Sequence, residues 1–146
     1  MNLLLQRVTQ AAVFINKQET ARIGQGLLIM VGFTDQDTID TSFRATKKII
    51  SYALFSDSKG RIKKNIKEVS GEILLVPEIT LSVKTNTGNK PNFSEVGKFE
   101  RSKSNFDSLK KNLISLHKKS FFGEFGADMQ ISSINDGPVT FLLVIN

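Results

Sequence analysis

"MQISSINDGPVTFLLVIN", residues 129–146, sets two apolar runs either side of Asn135-Asp136-Gly137-Pro138. Asn, Asp, Gly and Pro are the residues from which tight turns are built, so two strands joined as a hairpin are the first expectation. Two details complicate it. Gly137 relieves the clash that restricts most residues preceding a proline. An X-Pro bond is also where a cis peptide is accessible, at about 0.5–1 kcal/mol. A Gly-Pro tip can therefore present two carbonyls in a pose that ordinary turns do not reach. The run after it, Val139 to Ile145, is apolar but for Thr140. A strand greasy on both faces is expected in the middle of a structure, and in a small domain a subunit interface can supply the second cover.

Upstream, "GQGLLIMVGF" (24–33) is another continuous apolar run, bounded by glycine, and reads as a strand buried on both faces. "NLLLQRV" and "AAVFINKQETARI" read as two or three further strands with a turn near Lys17-Gln18. From Asp37 the period changes to helical: Ile39, Phe43, Thr46 and Ile50 share a face, and Asp37 can cap the start. Phe106, Leu109, Leu113 and Leu116 predict a second amphipathic helix over about 101–118. "YALFSDSKGRI", "GEILLVPEITLSV" and "SFFGEF" read as strands, the second interrupted by Pro77. Residues 84–98 lack periodicity and are expected to form a long functional loop. Strands, helix, strands, helix, strands imply one α/β domain over residues 1–146, with a mixed sheet and two helices.

Composition narrows the chemistry. The 146 residues contain no cysteine, which removes disulfides, thiolate zinc sites and thiol nucleophiles. His117 is the single histidine and falls at the end of the second predicted helix, where a surface or capping role is expected. A histidine-dependent triad and a His-ligated metal site are thereby disfavoured. No apolar run approaches the roughly 18 residues of a membrane span. Leu3-Leu4-Leu5 before Gln6-Arg7 is too short for a signal peptide, so a cytoplasmic protein is expected. The net charge of +6 favours an anionic partner. Its basic residues cluster over 57–67 and 84–119, either as solvated faces or as contacts to nucleic acid.

Any catalysis must then use hydroxyls, amides, backbone dipoles or groups carried by the substrate. "VPEITL" is the best candidate. If it is a strand, Glu78 and Thr80 point to one side. Pro77 has no N–H and marks an edge or a bulge, beyond which backbone N–H groups can be left for a ligand. The Thr80 hydroxyl with such groups would form a donor cluster aimed at a developing oxyanion. The alternative is a solvated edge.

"LLQRV", "GLLIMVGF", "ITL", "FGADMQ" and "INDGPVTFLL" together resemble the D-aminoacyl-tRNA deacylases, in order and position, over essentially the whole chain. The resemblance implies a mixed, mostly antiparallel sheet or barrel with two helices, assembled as a cytoplasmic homodimer. It implies hydrolysis of the ester between a D-amino acid, or glycine, and the terminal adenosine of tRNA, without metal or other cofactor. Thr80 and Glu78 would then be catalytic, and Gly137, Pro138, Phe125, Met129, Ile79 and Arg7 would bind substrate. Gly137-Pro138 would be cis and would reach into the partner subunit's pocket, with Arg7 pinning that loop and Phe125 stacking on the terminal adenine.

This chain departs from the family pattern where Pro77-Glu78 replaces Ser-Gln. Glutamate turns an amide donor into an acceptor, which is unfavourable beside a forming oxyanion. It could instead hold the substrate's α-ammonium group. The pair of basic residues before Pro-x-Phe is reduced to Asn89-Lys90. Two other readings follow: a non-catalytic homologue that binds tRNA ends or DNA, inactivated at Pro77-Glu78, and a relaxed-specificity L-alanyl-tRNA deacylase.

Overall fold

The computed structural model describes residues 1–86 and 88–146. The chain runs through β1 (Asn2–Ile15), β2 (Gln18–Ile23), β3 (Gly26–Gly32), α1 (Ile39–Ser51), β4 (Phe55–Ser56), β5 (Ile62–Lys64) and β6 (Glu72–Pro77). A 3-10 turn (Ile79–Ser82), α2 (Phe99–Leu116), β7 (Ser120–Phe122) and β8 (Gln130–Val144) complete it. β1 is the spine. Its first half pairs with β3 and its second half with β2 along one edge, while β8 lies antiparallel along the other. β3–β6 and β6–β7 are parallel, and the mixed sheet curls into a nearly closed barrel with two helices packed on it. The loop expected over 84–98 carries only isolated bridges, Lys84 with Asn92 and Val96 with Thr34, and its Thr87 lies outside the described residues.

The expected hairpin is not formed. β8 runs through Asp136-Gly137-Pro138, and both its halves pair with the same strand, Thr140–Val144 with Asn2–Gln6 and Gln130–Asn135 with Val8–Phe14. Only Arg7 separates Gln6 from Val8, whereas Asp136, Gly137, Pro138 and Val139 separate their partners Asn135 and Thr140. The turn residues therefore extrude a bulge from a continuous strand. Turn chemistry demands a local break in pairing; a long partner on the far side decides that the chain does not reverse. The Gly137-Pro138 peptide is cis.

β8 is also not in the middle of the sheet. Beyond β1 it has no strand partner among the described residues, and it exposes Phe141, Leu142 and Val144.

The apolar run of β3 divides by alternation between two cores. Leu27, Ile29 and Val31 join Leu3, Leu5, Ile73 and Leu75 beneath the helices. Leu28 joins Val8, Val13, Leu74 and Val76 on the opposite face. Each such side chain contributes roughly 1.5–3 kcal/mol on burial. Gly26 is required for the approach of β6, because a Cβ there would lie 1.9 Å from the Glu72 carbonyl oxygen.

The helices form close to where periodicity places them, but α1 is rotated. Thr38, not Asp37, caps it, and its buried face is Thr41, Ser42, Ala45, Thr46, Ile49 and Ile50, leaving Ile39 and Phe43 exposed. Asp37 is instead buried, accepting from the Met1 ammonium at 2.7 Å and from the Thr34 N–H at 2.7 Å. The small polar face of α1 packs against α2, where the Ser42 hydroxyl donates to the Asn105 carbonyl at 3.1 Å. α2 buries Phe106, Leu109 and Leu113 as expected, but Leu116 is exposed at its end.

Candidate active site

Glu78 and Thr80 do not lie on a strand. β6 ends at Pro77, whose missing N–H cannot extend the ladder. β7 has already stopped opposite Leu75, so the far side of Pro77 faces no strand. The Glu78 N–H closes the pairing on the Val31 carbonyl at 2.8 Å, and the chain then winds into the 3-10 turn through Leu81 N–H to the Glu78 carbonyl at 3.2 Å.

That winding brings the two side chains together by another route. The Thr80 hydroxyl donates to Oε1 of Glu78. Its one proton is engaged, so toward a ligand the Thr80 side chain offers lone pairs, not the donor expected of it. Donors remain in the backbone. Among the described residues, the N–H groups of Ile79 and Thr80 have no protein acceptor.

Beside this turn is a cleft of about 300 Å³, lined by Val76, Glu78, Ile79, Phe125, Asp128 and Met129 among others. Its second wall is the segment between β7 and β8. Gly126, at a φ of 84°, turns that segment, with the Ala127 N–H on the Glu124 carbonyl at 3.3 Å. Met129 Sδ accepts from the Glu124 N–H at 3.4 Å. The half-buried Phe125 ring packs on Phe99, Phe106 and Phe33 at centroid distances of 5.2, 5.7 and 6.3 Å. Three aromatic neighbours hold it in place, and its remaining surface contributes to the cleft wall.

Arg7, Gly137 and Pro138 form a separate locus. Buried Arg7 sits opposite the bulge, with Nε 2.8 Å from the Asp136 carboxylate and 3.2 Å from the Asp136 carbonyl, while Nη1 donates to the Leu54 carbonyl at 3.0 Å. Asn135 completes the clamp, its side-chain amide donating to the Arg7 carbonyl at 2.9 Å. Gly137 and Pro138 project outward, exposed, and do not line the cleft of their own chain.

The fold thus gathers Glu78, Ile79, Phe125 and Met129 around one cleft, with Thr80 attached through Glu78, and places Arg7, Gly137 and Pro138 elsewhere. Sequence reasoning gave Asp128 no role and read Asn135 and Asp136 only as turn formers. All three lie inside strings already singled out, "FGADMQ" and "INDGPVTFLL".

His117 caps α2 with its ring Nε2 donating to the Gly71 carbonyl at 2.8 Å, and it is not among the residues that line the cleft. His117→Ala should cost about 1 kcal/mol of stability. Its turnover should stay within about twofold of wild type, checked by steady-state kinetics and a thermal melt. Among the described residues no group of three or more His, Cys, Asp or Glu is arranged to hold a metal, and no helix is long and apolar enough to cross a membrane.

The segments that build this cleft have counterparts in known proteins. A family model described as D-Tyr-tRNA(Tyr) deacylase matches residues 4–144. The D-aminoacyl-tRNA deacylase of Ectopseudomonas mendocina is 39% identical over 145 residues, covering 99% of this chain and 100% of the relative. That of Legionella pneumophila (strain Corby) is 41% identical over 140 residues, covering 96% and 97%. Among solved structures, a c-Myc DNA unwinding element binding protein superposes with a TM-score of 0.93 at 31% identity, over 99% of this chain and 98% of that one. A probable eukaryotic D-amino acid tRNA deacylase shares the fold, with a TM-score of 0.86 at 15% identity over 97% of both chains. With the match running from β1 to the end of β8 and through both walls of the cleft, the chain belongs to the D-Tyr-tRNA(Tyr) deacylase family.

Proposed function

We propose that this protein hydrolyses the ester of D-aminoacyl-tRNA, and of glycyl-tRNA mischarged on tRNA-Ala, by a substrate-assisted mechanism without metal. The observation that carries the reading is the cleft between residues 76–79 and 125–131, in a chain 38–41% identical to D-aminoacyl-tRNA deacylases over nearly its full length. In this reading the ester carbonyl lies with its oxygen toward the Ile79 and Thr80 N–H groups. Water attacks the carbonyl carbon, assisted by the neighbouring ribose hydroxyl, and the two N–H groups stabilise the oxyanion of the tetrahedral intermediate. Such a donor contributes about 2.7–4 kcal/mol to a transition state. The C–O3′ bond then breaks, the 3′ oxygen takes up a proton, and free tRNA and the amino acid leave. Phe125 supports the terminal adenine, as aromatic side chains do for unpaired bases.

The outward position of Gly137 and Pro138 and the exposed apolar face of β8 support a homodimer in which each bulge completes the partner's cleft. Carbonyls of the bulge would there exclude L side chains. The basic surface suits tRNA phosphates, and a tRNA substrate is in keeping with a cytoplasmic protein.

A second reading has its own support: the relative at 31% identity is described as DNA-binding, and the Thr80 hydroxyl is tied to Glu78. In that reading the chain binds nucleic acid without chemistry. Deacylation of D-tyrosyl-, glycyl- and L-alanyl-tRNA decides among them. Release of D-tyrosine and glycine but not L-alanine is expected; release of L-alanine would favour relaxed specificity, and binding without release a module that has lost catalysis. Because the cleft has neither cysteine nor histidine, a chelator should leave turnover unchanged, measured as D-tyrosyl-tRNA hydrolysis with and without EDTA. Loss of activity restored by a divalent cation would rule out the metal-free mechanism.

A further inference from the structure

We propose that Glu78 is the counter-ion for the α-ammonium group of the aminoacyl ester, so that the protein selects substrates with a free, protonated amine. This deepens the deacylase reading and rests on it. The carboxylate lines the cleft and forms no ion pair with any Lys or Arg among the described residues. The cleft-lining residues include no basic side chain, although the chain as a whole carries a net charge of +6.

The Thr80 hydroxyl fixes one carboxylate oxygen. A hydroxyl donating to a carboxylate leaves a cluster made of acceptors: the second oxygen of Glu78 and the lone pairs of Thr80. Acceptors so placed suit an ammonium, which has three donors and no acceptor. The same turn supplies the N–H groups of Ile79 and Thr80, which have no protein acceptor among the described residues. An α-amino ester carries its ammonium one carbon from its carbonyl. One short turn can therefore hold both ends of that unit, the carbonyl oxygen on N–H groups and the ammonium on Glu78. Glu78 thus serves to bind and orient the substrate, with Thr80 as its positioning residue.

The test pairs D-tyrosyl-tRNA with N-acetyl-D-tyrosyl-tRNA, which keeps the ester and removes the charge. The purified full-length protein should show a kcat/KM ratio of at least thirtyfold in favour of the free amine. In Glu78→Gln that ratio should fall to within about threefold of one, through loss on the free-amine substrate. Glu78→Asp, which keeps the charge, should retain a clear preference. The wild-type preference should also fade as pH rises through the α-amino pKa, about 7.7–8.0 in peptides, and Glu78→Gln should flatten that dependence. A Glu78→Gln protein that loses rate equally on both esters, or gains rate on the free amine, would overturn the proposal.

Binding of the non-hydrolysable amide 3′-(D-tyrosylamino)-3′-deoxyadenosine and its N-acetyl form, measured by calorimetry, separates this proposal from the activity reading. Preference for the free amine that vanishes in Glu78→Gln supports the counter-ion role even if no ester is cleaved. Ester cleavage without any such preference removes the counter-ion role and leaves the deacylase.

Discussion

Leu142→Arg is expected to leave the protein folded but monomeric and to lower D-aminoacyl-tRNA hydrolysis by more than a hundredfold. Leu142 is 58% exposed and Val144 59%, on an edge strand that also exposes Phe141 and, further along, Ile134. Substitution at so exposed a position should change monomer stability by no more than about 0.5 kcal/mol. In an isologous interface the same patch meets its own copy, so each dimer would take up two new charges. A charge placed in a dry apolar contact without a partner costs several kcal/mol, enough to dissociate the dimer at working concentrations. Since the bulge of each subunit is proposed to complete the other's cleft, activity should fall with assembly. Light scattering, a thermal melt and a deacylation assay on one preparation check all three expectations. A monomer with full activity would show that the cleft is complete within one chain. A dimer with full activity would move the interface away from β8.

Arg7→Met should reduce both stability and stereochemical selection. Arg7 is 9% exposed and ties three groups together, the Asp136 carboxylate and carbonyl and the Leu54 carbonyl. Methionine fills much of the same volume but leaves two carbonyls without their donor. The Asp136 side chain is 40% exposed and can rehydrate, so its share is discounted. A loss of about 2–3 kcal/mol is the expectation, most of it from the stranded carbonyls. The bulge would then lack its anchor at the base, and misplaced groups cost rate steeply, about a hundredfold for 1 Å. D-tyrosyl-tRNA hydrolysis should drop by roughly that factor, and the preference over L-tyrosyl-tRNA should narrow. Lysine should not restore it, because a point charge cannot span the donor positions of a guanidinium fork. An unchanged D-to-L ratio in a destabilised Arg7→Met protein would confine Arg7 to a structural role.

Much of the architecture was legible in the chain because it depends on period and polarity. The unbroken apolar run of β3 required two buried faces, and the structure supplies a core on each. The 3.6-residue spacing of Phe106, Leu109 and Leu113 required a helix against a sheet, and α2 buries all three. The rotation of α1 was not legible. Ile39 and Phe43 matched a helical face, but the face chosen is the one whose small polar residues let α2 approach and whose Ser42 meets Asn105. Helix–helix fit outranked the hydrophobicity of two side chains.

The sequence by itself determined the limits of the chemistry: without cysteine, and with its one histidine at a helix end, any catalysis is left to hydroxyls, amides, backbone dipoles or groups carried by the substrate. It also marked the break at Pro77 and the Asn-Asp-Gly-Pro break, because turn residues and proline act through their own covalent structure; the wall at residues 125–129 was marked only by its resemblance to the family. Tertiary structure decided what those breaks became. A long β1 held both halves of β8 and made a bulge where local chemistry read a hairpin. The end of the β6 ladder at Pro77 let the next residues wind, so that Thr80 turned its proton onto Glu78 instead of toward a ligand. Local chemistry fixes where a chain must change direction; only the distant strand or side chain that receives it fixes the direction taken.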